Sequence, residues 1–261
     1  MAEQRKHVVL VTGASKGIGL AATRHLLETF NAIVVAVSRS RSPELLELLK
    51  KYPSALLSIE ADITNEAATR DAIALAIKTY RNLDGLILNA GVVEPMGLIR
   101  DPEITTESWR RHFDVNFFSL LYTVQAALPA LRSSDLRGRI IFISSGAATG
   151  GTPAWGVYNA SKAAMNSFCR TLANEEPDIV SIALRPGMVD TAMQAQLRNI
   201  GASKLRDEDA QKFIRAHAEG QLVKPEDVGH VIAALSLRAP KSLSGQFVNW
   251  NSDECKEFRR S

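Results

Sequence analysis

Only two cysteines, Cys169 and Cys255, occur in 261 residues, 86 positions apart and without a CxxC partner. That usage predicts a reduced chain with incidental thiols rather than a disulfide framework. Five histidines (His7, His25, His112, His217, His230) show no HExxH or similar ligand spacing, so no metal site is expected. There is no long Lys/Arg run either: 31 basic against 28 acidic residues leave a formal charge of +3, and no nucleic-acid partner is expected. Long apolar runs are also missing. After the polar start Met1–Lys6, the run Val8–Val11 is too short for a signal h-region or a membrane span. A cytoplasmic protein without membrane contact is the expectation.

No Pro/Ser/Gly-rich linker, repeat or low-complexity stretch divides the chain, so one domain over residues 1–261 is predicted. Its 46% hydrophobic and 23% charged residues are ordinary for a globular protein. Val8–Val11, Ala32–Val37, Ala55–Glu60, Leu86–Leu88, Arg139–Ser144, Ile179–Leu184 and Gln246–Trp250 read as strands. Several are apolar almost without alternation, as parallel strands buried on both faces are. Helical patterns separate them: Ile18–Phe30, Pro43–Lys50, Asn65–Tyr80, Thr105–Leu131, Val157–Ala173 and Pro225–Leu237. Ser42-Pro43-Glu44 and Thr64 before Glu66 read as helix starts. Such repetition implies an α/β fold of Rossmann type, a seven-stranded parallel sheet with helices on both faces. The interval without a strand, about residues 190–224, reads as a helical, charged lid over a substrate.

Directly after the first strand stands Thr12-Gly13-Ala14-Ser15-Lys16-Gly17-Ile18-Gly19. Glycine there permits unusual dihedrals and close approach of a pyrophosphate to the backbone, and the next helix offers its N-terminal N–H groups to the phosphates. A dinucleotide-binding turn is predicted. Sites for NAD carry an acidic residue about 20 positions on; here the second strand ends in Val37-Ser38-Arg39-Ser40-Arg41. A 2′-phosphate brings roughly −1.5 to −2 charge, which the planar donors of Arg39 suit, with Lys16 as a second cation. NADP(H) is the expected cofactor. Asp62 and Ile63 close the third strand and Asn89-Ala90-Gly91 the fourth, at the strand ends where open α/β sheets bind ligands. Structural turn roles for Asp62 and Asn89 read as well from the sequence.

The fifth strand runs into Ser144-Ser145-Gly146, and Tyr158 and Lys162 follow on a helix, one turn apart on the same face. A phenol titrates near 10. An ammonium about 4 Å away is worth roughly 4 kcal/mol at an effective dielectric near 20, enough to bring the phenol close to neutrality for general acid–base work. Ser145 and Tyr158 are the candidates to hold a carbonyl oxygen that gains charge during hydride transfer.

In this order the motifs resemble the short-chain dehydrogenase/reductase family over essentially the whole chain. Thr12–Gly19 is similar to its glycine motif, Asn89–Gly91 to its central-strand motif, and Ser145, Tyr158 and Lys162 to its catalytic set. The resemblance implies that Asn116 is a fourth catalytic position holding a water in a proton relay. It also implies that Lys162 grips the nicotinamide ribose and that Pro186-Gly187, Val189 and Thr191 contact the nicotinamide side. Within the family, Trp155 and Asp190–Gln194 resemble the sepiapterin reductases and the fungal and bacterial benzil reductases. Where the former carry an anchoring aspartate, this chain has Ser252 followed by Asp253, which leaves aromatic or vicinal diketones at least level with pterins. Ala147, Trp155, Val93, Met188 and Met193 are the candidate apolar pocket, with core packing as the other reading. The resemblance further implies a homodimer, or a tetramer, built on the helices Thr105–Leu131 and Val157–Ala173. The expectation is NADPH-dependent reduction of a small carbonyl substrate; a non-catalytic NADP(H) sensor and an epimerase or dehydratase are the rivals.

Overall fold

The computed structural model describes residues 5–260; the segment Met1–Gln4 of the polar start lies outside them. Among the described residues the chain runs β1 (Val8–Thr12), α1 (Gly17–Glu28), β2 (Ile33–Ser38), α2 (Pro43–Lys51), β3 (Leu56–Glu60), α3 (Glu66–Tyr80) and β4 (Gly85–Leu88). Then follow α4 (Thr106–Phe113), a π-helical turn (Asp114–Phe118), α5 (Ser119–Arg132), β5 (Arg139–Ile143), α6 (Gly156–Glu175) and β6 (Val180–Arg185). The chain closes with α7 (Ala192–Lys204), α8 (Asp207–Ala218), α9 (Pro225–Arg238) and β7 (Phe247–Asn249). All pairings are parallel, in the order β3-β2-β1-β4-β5-β6-β7. The order reverses between β1 and β4, which opens a crevice at the carboxyl ends of these two strands.

Period-2 side-chain alternation divides the apolar strands between two cores. Val9, Val11, Val34, Ile87, Ile141 and Ile182 pack under α1, α2 and α9. Val8, Leu10, Val35, Leu86, Leu88, Ile140 and Phe142 pack under α3, α5 and α6. The seven strands expected from the sequence are all present, with ends shifted by a residue or two.

At the amino ends of the strands the fully buried Asp84 ties three segments together. It accepts from both Arg5 guanidinium nitrogens and the Val8 N–H at 2.8 Å, and from the Ser134 hydroxyl at 2.6 Å.

Two local expectations need correction. Ser42 caps α2 as read, accepting from the Leu45 N–H, but α3 is capped by Asn65, which accepts from Ala68 N–H at 3.0 Å. Thr64 instead gives its N–H and hydroxyl to Asp62. The single helix expected over Thr105–Leu131 is broken by the π turn into α4 and α5. The interval 190–224 holds two helices, α7 and α8, and is closed at its base: Asp190 N–H reaches the Val223 carbonyl at 2.9 Å, and Val223 N–H the Met188 carbonyl at 2.8 Å.

Candidate active site

The glycine turn is shaped by what cannot fit beside it. Gly13 sits at φ +66° and Gly17 at φ +55°, a region that residues with a Cβ avoid. A Cβ on Gly13 would stand 2.9 Å from Asn89 Nδ2, and one on Gly19 would strike the Gly13 carbonyl oxygen. Asn89 buttresses this turn, its Nδ2 donating to the Thr12 and Gly13 carbonyls at 3.0 and 3.2 Å. The Thr12 hydroxyl in turn accepts the N–H groups of Asn89 and Ala90. β1, β4 and the start of α1 are thereby locked into one cradle, with the α1 N-terminus open toward the crevice.

That crevice, about 590 Å³, runs unbroken from the glycine turn to α6. Gly13, Ser15, Lys16, Gly17 and Ile18 line its first part, with Ser38, Arg39, Asp62 and Ile63. Asn89, Ala90 and Gly91 line the middle; Tyr158, Lys162, Pro186, Thr191 and Met193 line the far end. Gly19 is buried beneath the turn. Two neighbouring arginines part company: Arg41 is tied to Glu60 at 3.2 Å and to Ser58, whereas Arg39 projects into the crevice with no ion pair among the described residues. Asp62 accepts from the N–H and hydroxyl of Thr64 through one oxygen, so turn and crevice roles coexist. Arg111 and Asp114 also line the crevice and carried no sequence signal of their own.

At the chemical end Tyr158 and Lys162 are 8 % and 5 % exposed. Lys162 Nζ donates to the Ile143 carbonyl at 2.7 Å and stands 5.8 Å from the Tyr158 ring centroid. Burial lowers the amine to about 7. Burial raises the Tyr158 phenol above its ordinary value, while the Ser145 hydroxyl pulls it the other way. The expectation that the Lys162 charge draws the phenol toward neutrality is therefore corrected. It assumed a charged ammonium about 4 Å away, whereas burial here lowers the Lys162 amine and raises the phenol. Ser145 caps the short turn Gly146–Ala148, its Oγ accepting the Ala147 N–H at 3.2 Å.

Asn116 lies in the π turn, fully buried, its amide exchanging two hydrogen bonds of 2.8 Å with the Val92 backbone. Trp155 packs edge-on to Tyr158 (centroids 5.5 Å) and stacks at 5.5 Å and 27° on Phe213 of α8. Val93, Ala147 and Met193 belong to the same apolar cluster, with Leu197 and Leu205. Met188 does not: it lines a separate depression with Glu208, Lys212 and Arg215. Gly187 and Val189 are not among the crevice lining: Gly187 faces the Trp250 ring and Val189 pairs with Val223. Asp253 is exposed at the start of a 3-10 turn after β7, away from the crevice lining. Phe213 and His112 were missed by the sequence reading: a stacking partner 58 positions from Trp155, and a histidine weighed only as a metal ligand.

A glycine-cradled helix N-terminus joined by one crevice to a buried Tyr–Lys pair defines an oxidoreductase of the dinucleotide-binding α/β class. Comparison with known proteins agrees. The family model described as short chain dehydrogenase matches residues 7–200. An uncharacterized oxidoreductase of Schizosaccharomyces pombe is 44% identical over 253 residues, covering 97% of this chain and 99% of that one. A benzil reductase ((S)-benzoin forming) of Saccharomyces cerevisiae is 34% identical, covering 94% and 96%. The crystal structure of a Saccharomyces cerevisiae short chain dehydrogenase/reductase superposes with a TM-score of 0.91 at 34% identity, covering 97% and 100%. The chain belongs to the short-chain dehydrogenase family, whose members work with a nicotinamide cofactor. Among the described residues no helix is long and apolar enough to cross a membrane.

Proposed function

We propose that the protein is an NADPH-dependent carbonyl reductase acting on aromatic or vicinal diketones. The observation that carries this reading is the single crevice joining Arg39 and the glycine cradle to Tyr158 and Lys162. Residues Gly13–Gly19, Asn89–Gly91, Pro186 and Thr191 suit a dinucleotide, and Arg39 with Lys16 suit its 2′-phosphate, since no carboxylate closes β2. The bound cofactor supplies the hydride. Tyr158 donates the proton to the carbonyl oxygen from its phenol, which its raised pKa keeps protonated at neutral pH. Ser145 holds the same oxygen as it gains charge. Lys162, with an amine near 7, exchanges protons at working pH and so reloads the phenol. Asn116 fixes the floor of this end.

Trp155, Phe213, Val93 and Met193 provide an apolar, aromatic wall beside Tyr158, which suits an aryl ketone over a charged substrate. The relatives described as benzil reductases support the same class. Residues 190–224 serve as the lid, hinged where Val189 pairs with Val223. The protein works in the cytoplasm as a homodimer, consistent with the half-exposed Phe118 on the outer face of the π turn. The deciding experiment follows NADPH oxidation with benzil, sepiapterin and simple diketones. Turnover of benzil at rates above sepiapterin is expected, and equal use of NADH would overturn the cofactor assignment.

A further inference from the structure

His112, in α4, is 1 % exposed and lies behind Tyr158, ring centroids 6.1 Å apart and edge-on at 86°. Its Nδ1 stands 2.6 Å from the Glu94 carbonyl oxygen. A carbonyl can only accept, so Nδ1 carries the proton. Burial, opposed by the Glu94 bond and aided by the charge of Lys162, keeps the ring below its ordinary pKa and neutral. Nε2 is then a bare acceptor: Asn116 Nδ2 stands 2.8 Å away, and the Ser161 hydroxyl, whose one proton Nε2 shares with the Tyr158 carbonyl, 2.9 Å away.

The Asn116 amide cannot turn over to escape this geometry. Its Oδ1 takes the Val92 N–H and its Nδ2 spends one proton on the Val92 carbonyl, so the second proton must go to His112. Ser161 stands 3.0 Å from the Tyr158 carbonyl oxygen, inside the α6 turn that spans Tyr158 and Lys162. One imidazole therefore joins the loop after β4, the π turn and the catalytic face of α6. Phe113 beside it on its own helix and Tyr158 across from it are uncharged, and Lys162 is the charged group acting on it among the described residues.

We propose that His112 is a positioning residue: its neutral Nδ1–H imidazole sets Asn116 and the Tyr158–Lys162 turn in fixed register for proton delivery. The kinetic part of this inference rests on the carbonyl-reductase reading; the structural part does not. An imidazolium would turn Nε2 into a donor facing the Asn116 N–H, and the lock would open.

The test compares His112→Phe, which keeps bulk and loses the acceptor, with His112→Gln, which restores an acceptor toward Asn116 and Ser161. In His112→Phe, kcat for benzil with NADPH falls ten- to a hundredfold while both KM values stay within about threefold. The pH profile of kcat shifts, and His112→Gln recovers most of the loss. Should His112→Phe not fold, Ser161→Ala cuts the α6 arm alone and lowers kcat about threefold to tenfold, again with KM retained. Unchanged kcat in these variants, or a His112→Gln no better than His112→Phe at equal folding, overturns the proposal. Two readouts need no substrate. Ring 15N NMR of the parent must show a non-titrating Nδ1–H imidazole at neutral pH, and the ultraviolet titration of Tyr158 must move in His112→Phe. An imidazolium at pH 7, or an unmoved phenol, overturns the inference. A parent inactive on every ketone with both readouts as expected counts against the reductase reading alone.

Discussion

Two buried polar clusters sit at opposite ends of β4, and they treat charge in opposite ways. At the amino end, Asp84 is fully buried yet paired with Arg5 and hydrogen-bonded by Val8 N–H and Ser134. Burial pushes its carboxyl up, but these partners outweigh it and hold the pKa below the ordinary value. At the carboxyl end, Lys162 is equally hidden but makes no ion pair among the described residues; the Ile143 carbonyl and, weakly, Met165 Sδ receive it, and its amine drops to about 7. A paired charge is fixed and serves the fold. An unpaired one is left close to its titration point, where it can take and give a proton.

The largest effect expected of any substitution is at the unpaired end. Tyr158→Phe removes the proposed proton donor and lowers kcat by at least about 10²–10⁴, with NADPH binding retained in a fluorescence titration. Retained turnover would erase the functional half of the contrast.

Next comes the stability of the unpaired amine. With a folded value of about 7 against 10.5, the native state binds fewer protons than the unfolded one between these pH values. Stability therefore rises with pH across that window and is lost as pH falls through about 7. Lys162→Met abolishes this slope: it gains at most about 5 kcal/mol over the parent near pH 6 and nothing near pH 10.5. Denaturant midpoints at the two pH values measure it, and a pH-independent difference would break the comparison.

Asp84→Asn probes the paired end and has the smaller, opposite signature. A depressed carboxyl contributes stability above its ordinary range and loses it as pH falls through the folded value. With Arg5 partly solvent-exposed, the loss is about 2 kcal/mol at pH 7 and shrinks toward pH 3; thermal melts across pH check it. The smallest effect lies outside both clusters. Arg39→Ala raises the KM for NADPH about tenfold, the worth of one charge-assisted contact, and leaves kcat and the NADH constants alone. A parallel rise for NADH would mean that Arg39 shapes the turn instead of meeting a 2′-phosphate.

The seven strands were legible because a buried parallel strand needs a short, β-branched apolar run, as in Val8–Val11 or Ile140–Ile143, whereas the helical apolar runs such as Ala72–Ile77 are alanine-rich and lie inside longer amphipathic stretches. The glycine turn and the Tyr158/Lys162 spacing were legible for a similar reason, as each function demands specific residue types at short range. What escaped was set by contacts across distance. Nothing in the 3.6-residue pattern of Thr105–Leu131 marks the π turn, because its apolar faces continue on both sides. Thr64 and Asn65 are both good caps; Asn65 accepts the Ala68 N–H, while Thr64 binds back to Asp62. Met188 follows the carboxyl end of β6, where an apolar pocket was expected, yet it lines a separate depression with Glu208, Lys212 and Arg215.

Local chemistry thus determined from the sequence alone that the chain is a parallel α/β protein with a glycine turn between β1 and α1 and a Tyr–Lys pair. Only the folded structure decided the electrical state of that pair. Desolvation depends on everything packed around a group, and the walls that bury Lys162 and seat His112 against Asn116 come from segments dozens of residues away.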